Sequence, residues 1–398
     1  MPRHMIDRRT FLAASSAALL VGAARGPQRF ELQDNRVFVT VQMSGARGKG
    51  RDVLCWFDTG GGGLQVTKDV AAALGLSSTG PVRSNEGLSY QSVIAPRIFV
   101  QGTEIIVPTD DPVIAELDGP TISPSVRCQG FMPGYLLRPH RVLIDYPARR
   151  FGLNFPADLS AERLPVRIDP ASGFVRLDCI IEGEHVGLLL DTGASATMLS
   201  RAFIDKLAVK HPEWKSAQGA YGPANMHGAK TELEAKMLRI PQLAIGNVAL
   251  RDVVAVSRPP GVFEKWMSGM VPAPIVGALG GNALRNLRLQ IDFAKSQVTA
   301  IHTEMPVQHE FDMVPITLRA SFAGYEIVGV LPDPKTAPLR EMLVGKNLIA
   351  IDEHPVASLG IGDVHALLRG EPGGNHRLRV GGASGAPASV DAPILRIL

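Results

Sequence analysis

Apolar residues recur along this chain at two spacings, and the order in which the spacings follow one another occurs twice. RVFVTVQM (residues 36–43) and GFVRLDCII (residues 173–181) have the alternating or near-continuous apolar character of strands. Behind each comes a second apolar run, LCWFDTGGGG (54–63) and GLLLDTGASA (187–196). Nine residues after the aspartate of each run stands a hydroxyl residue able to cap a helix, Thr67 and Ser200, and each opens a helical pattern, TKDVAAALGL and SRAFIDKLAV. Further on, CQGFMPGYLLRPHRVLIDYPARRF (128–151) and IVGALGGNALRNLRLQIDFAKSQV (275–298) align without a gap. That alignment pairs Gly130 with Gly277, Gly134 with Gly281, Arg138 with Arg285 and Asp145 with Asp292. The chain is therefore an internal repeat of two domain-sized units, with an insertion in the second between its early and late elements.

The runs share one triplet, Asp58-Thr59-Gly60 and Asp191-Thr192-Gly193. A carboxylate at the tip of a buried strand, followed by a small hydroxyl and a glycine that turns sharply, is half of a two-carboxylate site. Two halves in one chain make one complete site. Two carboxylates held a few ångströms apart cannot both ionise cheaply, so they share a proton across a bound water.

These elements resemble the retropepsin-like aspartic proteases, in which an apolar run enters Asp-Thr-Gly-Ala-Ser and a later apolar-apolar-Gly packs beneath it. The second copy fits closely, with DTGAS at residues 191–195 and Ile275-Val276-Gly277. Having both halves in one chain is similar to the pepsin-like arrangement, and the resemblance covers residues 30–302. It implies Asp58 and Asp191 as catalytic, with Thr59, Gly60, Thr192, Gly193 and Ser195 supporting them. By the same resemblance the two threonines bond across the lobe interface, and the glycines let backbone amides approach the carboxylates. The first copy departs in two places. Gly61 and Gly62 stand where the second has Ala194 and Ser195, and Cys128-Gln129-Gly130 stands where it has Ile275-Val276-Gly277. A glycine run loosens the turn, and a glutamine in a buried strand needs a partner.

Such a site needs a cover that excludes water. Residues 219–230, with Tyr221 and Gly222, and residues around Tyr90 occupy the place where the family carries flaps. Surface loops with a tyrosine used for packing are the other reading of both.

Residues 7–26 hold Arg8-Arg9, an apolar stretch and small residues near Ala23 and Ala24, and they resemble a twin-arginine export signal. The expected mature protein starts near Arg25, lies in the periplasm or is secreted, and keeps no membrane span. Residues 344–380 resemble the second half of a PDZ domain, in which Gly345, Ile349, Ile351, His354-Pro355-Val356 and a helix over 364–368 match the plan. The carboxylate-binding loop of that domain would fall at 322–325, making Gly324 and Tyr325 candidates for holding a chain terminus or an extended peptide. A structural cap for the second lobe is the alternative.

At 398 residues, 45% hydrophobic and 20% charged, the chain is long enough for two or three cores. The net charge of +3 gives nucleic-acid binding little support, and the basic cluster at 46–51 reads as a solvated hairpin tip. Three cysteines, Cys55, Cys128 and Cys179, are an odd count, so at least one is a free thiol. Burial as small apolar side chains fits all three, and a Cys55–Cys128 bridge is conceivable. No HExxH pair or metal-ligand spacing occurs, so neither a metal nor a cofactor is expected.

The sequence thus predicts a mainly β, bilobal aspartic-protease fold of two pseudo-symmetric β-barrel-like lobes followed by a PDZ-like α+β domain. Boundaries fall at 1–24 (signal), 25–156 and 157–303 (lobes), 304–313 (linker) and 314–398. Its expected activity is that of an endopeptidase on polypeptides, and a non-catalytic peptide-binding protein is the competing reading.

Overall fold

A computed structural model of the protein describes residues 26–398 apart from 46–49, 86–87, 118–127, 227–229, 272, 306–308, 322–323 and 383–385. The export signal and most of the basic hairpin tip lie outside the described residues.

In each repeat a strand pair delivers the triplet. Arg36–Ser44 pairs antiparallel with Gly50–Asp58 in the first unit, and Val175–Ile181 pairs with Glu184–Leu190 in the second. Beside each lies a later strand running parallel to it, Gly130–Pro133 opposite Cys55 to Asp58 and Gly277–Leu279 opposite Leu188 to Leu190. Gly130 partners Cys55 and Gly277 partners Leu188, so the gap-free alignment of the two later segments is reproduced in hydrogen-bond register. The helices follow where the caps placed them, Lys68–Leu74 and Arg201–Lys210. Ser200 caps with its side chain, accepting from the Phe203 amide at 3.3 Å, whereas Thr67 has the capping backbone conformation without that bond.

The units are sewn together by a six-stranded sheet in the order Gln28–Arg29, Arg150–Leu153, Arg141–Asp145, Leu287–Asp292, Gln297–His302, Glu162–Leu164. Its centre is a pair of repeat-equivalent strands, with Arg141 opposite Asp292 and Asp145 opposite Arg288. The side chains repeat that reciprocity, Arg141 reaching Asp292 at 3.0 Å and Arg288 reaching Asp145 at 3.6 Å. One apolar core runs through both units, including Phe57, Phe151, Leu188, Leu190, Leu279 and Ile291.

The C-terminal unit is α+β. Strands Ile316–Ser321, Gly324–Val330, Asn347–Ile351, Asn375–Gly381 and Ala388–Pro393 form one sheet in that order, with His354–Pro355 paired to Asn347–Ile351. Helices Ala337–Leu343 and Ile361–Leu368 bury Leu339, Leu343, Ile361, Val364 and Leu368 against it. The stretch expected to be a polar linker is anchored at its end. Phe311 is buried, Asp312–Met313 pairs with Leu395–Arg396, and Arg396 reaches Asp312 at 2.9 Å. Among the described residues no helix is long and apolar enough to cross a membrane.

Candidate active site

Asp58 ends one strand and Asp191 follows its repeat equivalent, and the turns behind them meet. Thr59 Oγ1 donates to Leu190 O at 2.6 Å and accepts from the Thr192 amide at 3.1 Å. Thr192 Oγ1 donates to Phe57 O at 2.9 Å and accepts from the Thr59 amide at 3.2 Å. Four buried bonds therefore cross between the units in a reciprocal set, a further one running from the Val37 amide to Thr192 O at 3.4 Å. A hydroxyl that both accepts and donates is what the position requires, because each turn must satisfy one amide and one carbonyl of the other unit.

The glycines face the opposite unit's carboxylate. A Cβ at Gly60 would lie 2.6 Å from Asp191 Cγ, and one at Gly193 would lie 2.3 Å from Asp58 Cγ. Any larger residue at either place would push the acids apart. The Gly60 amide donates to Asp58 Oδ1 at 2.7 Å, and the Gly193 and Ala194 amides donate to Asp191 Oδ1 at 3.0 and 2.9 Å.

The carboxylates are 9% and 7% exposed, and each lies against the glycine of the other unit's triplet. Burial, followed by the neighbouring Asp191 carboxylate, pushes Asp58 well above the usual carboxylate range, against the amides of Gly60 and Gly193. Burial also raises Asp191, but the Asp58 side chain, the amides of Ala194 and Gly193 and the charge of Arg258 all work against the rise. Both carboxyls are thus raised, and two acids this close titrate as a pair.

Around this symmetric centre the units differ, and the differences compensate. A Cβ at Gly61 would lie 2.1 Å from Asp58 Oδ2 and 2.9 Å from Phe131 Cζ. The repeat equivalent of Phe131 is Ala278, so in the second unit the ring is absent and Ala194 fits. The glycine run of the first copy is thus not simple loosening: Gly61 accommodates a phenylalanine, whereas Gly62 has nothing within 4 Å. Phe131 itself packs edge-on against Trp56, their centroids 5.6 Å apart. Gln129 has the partner that its position demanded, for its side chain accepts from the Leu54 amide at 3.3 Å. Cys55, Cys128 and Cys179 are buried free thiols, and burial pushes the Cys128 thiol up to about 11.

Tyr90 lies in a hairpin strand, Leu88–Val93, between Ser78–Asn85 and Ile114–Glu116, opposite Arg83 on one side and Glu116 on the other. Tyr221 and Gly222 do not lie in a hairpin. They belong to an irregular segment with a short turn, Gly222–Ala224, that is buried against the C-terminal unit. Ser195 turns away from Asp191 and its Oγ donates to Pro223 O. Tyr325 is 3% exposed, its hydroxyl donates to Leu359 O at 2.6 Å, and its backbone lies between two other strands, so it is a packed core tyrosine. Gly324 opens that strand at φ +118°.

Two participants were missed in the sequence. Arg258 ends an apolar strand, is nearly buried, and pairs with Glu232 at 3.7 Å. Phe131 could have been found by setting GFMP against GALG and asking why one copy carries a ring. Among the described residues no group of three or more His, Cys, Asp or Glu side chains could hold a metal ion.

A paired, buried carboxylate centre in a bilobal, mainly β chain defines the aspartic-protease class of site. Residues 177–270 match the family described as gag-polyprotein putative aspartyl protease, so this part of the second unit is similar to a retropepsin-like aspartyl protease domain. No curated protein matches the chain.

Proposed function

We propose that the chain is a single-chain aspartic endopeptidase that cleaves exported or envelope polypeptides. The observation that carries this reading is that the buried Asp58 and Asp191 each lie against the other unit's triplet glycine, in turns held by the reciprocal threonine bonds. In the proposed reaction a water lies between the carboxyl groups. Asp191, ionised, takes a proton from that water as its oxygen attacks the peptide carbonyl carbon, and Asp58 gives its proton to the carbonyl oxygen. As the tetrahedral intermediate collapses, the C–N bond breaks, the amine leaves with the proton that Asp191 took up, and one hydroxyl of the intermediate returns its proton to Asp58. Each role follows from the charge state of the pair, since only an ionised group can accept and only a protonated one can donate. The hairpin bearing Tyr90 would cover the first unit's side of the cleft.

Export through residues 1–24 belongs to the same proposal, as does a PDZ-like identity for residues 314–398. Support for the latter is a six-stranded sheet with Ile316–Ser321 at its edge and two helices packed on it. The test is cleavage of an unfolded protein at mildly acidic pH. Asp58→Asn and Asp191→Asn are each expected to lower the rate by about 10²–10⁴-fold, and a statine-type inhibitor to block it. Full activity in Asp58→Asn would mean that the site is not built from one chain.

A further inference from the structure

Where the first unit has a hairpin, the second sends residues 219–226 into the C-terminal unit. The segment lies against both the edge strand Ile316–Ser321 and the helix Ile361–Leu368, filling the groove that the two leave between them. Thr317 Oγ1 donates to Ala220 O at 3.0 Å, and Asn225 Nδ2 donates to Leu318 O at 2.6 Å. Ala220, Tyr221 and Ala224 share one buried cluster with Met313, Leu318 and Val364. Gly222 approaches so closely that a Cβ would lie 2.7 Å from Met313 Sδ. An edge strand next to a helix is where an extended peptide docks by strand addition. Here the edge is covered by a loop of the same chain, through side-chain bonds.

The far side of the segment touches the candidate active site. Pro223 O takes the Ser195 hydroxyl, four residues beyond Asp191. Glu232, a little further along, accepts from the Met226 amide at 2.9 Å and pairs with Arg258. Arg258 is the cation whose charge favours the ionised form of Asp191. The C-terminal unit also grips the first unit. His365 Nδ1 donates to Asp34 Oδ2 at 2.7 Å, the Gly362 amide donates to Gln33 Oε1 at 3.1 Å, and Asn35 Nδ2 donates to Glu310 at 2.9 Å.

We propose that residues 220–225 are the resident ligand of the C-terminal groove, which makes this unit an internal clamp that sets Ser195, Glu232 and Arg258 around Asp191. On this view it is not an open receptor for substrate. The consequence for Asp191 rests on the aspartic-protease reading above, whereas occupancy of the groove does not.

Hydrogen–deuterium exchange on the full chain tests it without any substrate. In the wild type the amides of Ala224 and Asn225, bonded to Tyr221 O and Gly222 O, should exchange slowly. Asn225→Ala should speed exchange across 220–225 and Ile316–Ser321 by about tenfold while the strand Gly50–Asp58 is unchanged. Thr317→Val, a milder change that keeps side-chain volume, should act in the same direction and decides the matter if Asn225→Ala fails to fold. Exchange in the wild-type segment as fast as in a free peptide of the same sequence would overturn the clamp, as would an unaltered pattern in Thr317→Val. If cleavage is observed, its pH profile should also shift in Thr317→Val, which a groove unconnected to Asp191 would not cause.

Discussion

The two repeats make the same reciprocal bonds through their Asp-Thr-Gly triplets and part company at the next residue, Gly61 against Ala194. At the centre each unit offers the other the same threonine bonds and the same glycine face. Outside it, the first unit carries Phe131 with Gly61 and a hairpin around Tyr90, whereas the second carries Ala278 with Ala194 and a segment buried under the C-terminal unit. Symmetry is demanded only where two acids must share one proton. What surrounds them is not symmetric: the Gly193 and Ala194 amides donate to Asp191 Oδ1, the Gly60 amide donates to Asp58 Oδ1, and the charge of Arg258 acts on Asp191.

Three measurements break or sharpen that contrast. The largest effect is expected at the shared centre. Thr59→Val and Thr192→Val each orphan a buried amide and a buried carbonyl of the partner unit, and each should cost about 3 kcal/mol in denaturant unfolding, with Thr→Ser at either place restoring most of it. Markedly unequal losses would show that the interface is not mechanically symmetric. A smaller effect, about 2 kcal/mol, is expected for Gly61→Ala because its methyl would collide with Asp58 and Phe131. Adding Phe131→Ala should return part of that cost, with a coupling of about 0.5–3 kcal/mol, while Gly62→Ala should stay within about 0.5 kcal/mol. Independent, additive effects of the Gly61 and Phe131 changes would refute the compensation.

The smallest effect concerns pH. Asp58 is raised above its unfolded value of 3.8, so its contribution to stability is fully present below about that pH and is lost as pH rises through the folded-state value. Asp58→Asn cannot pay this penalty. The melting temperature of the variant relative to wild type should therefore rise by a few degrees between pH 4 and pH 8, read by calorimetry. A difference that is flat with pH would mean that Asp58 is not the proton holder.

Much of this was readable from the chain because the repeat compares it with itself. The triplets, Thr67 and Ser200 as helix starts, and the glycines beneath the triplet strands are local signals, and a second copy of each multiplies their weight. What stayed hidden depends on residues far apart in sequence. Nothing near Asp34 announces His365, and nothing in the run ending at Arg258 announces Glu232 or Asp191. Residues 304–313 read as a linker because their polarity and proline are local facts, whereas the burial of Phe311 and the pairing of Asp312–Met313 come from the C-terminal residues they meet. Tyr221 looked like a cover over substrate for the same reason: glycine and tyrosine content speaks of loop geometry, not of which surface the loop lies against.

The seam between Arg141–Asp145 and Leu287–Asp292 has a bearing on how the molecule could be taken apart. A polypeptide halted after the first repeat would expose one naked row of amides and carbonyls, and so would an isolated second repeat. Each fragment would then seek a substitute strand, either a twin of itself or its missing complement, so two separately produced halves should reassemble on mixing.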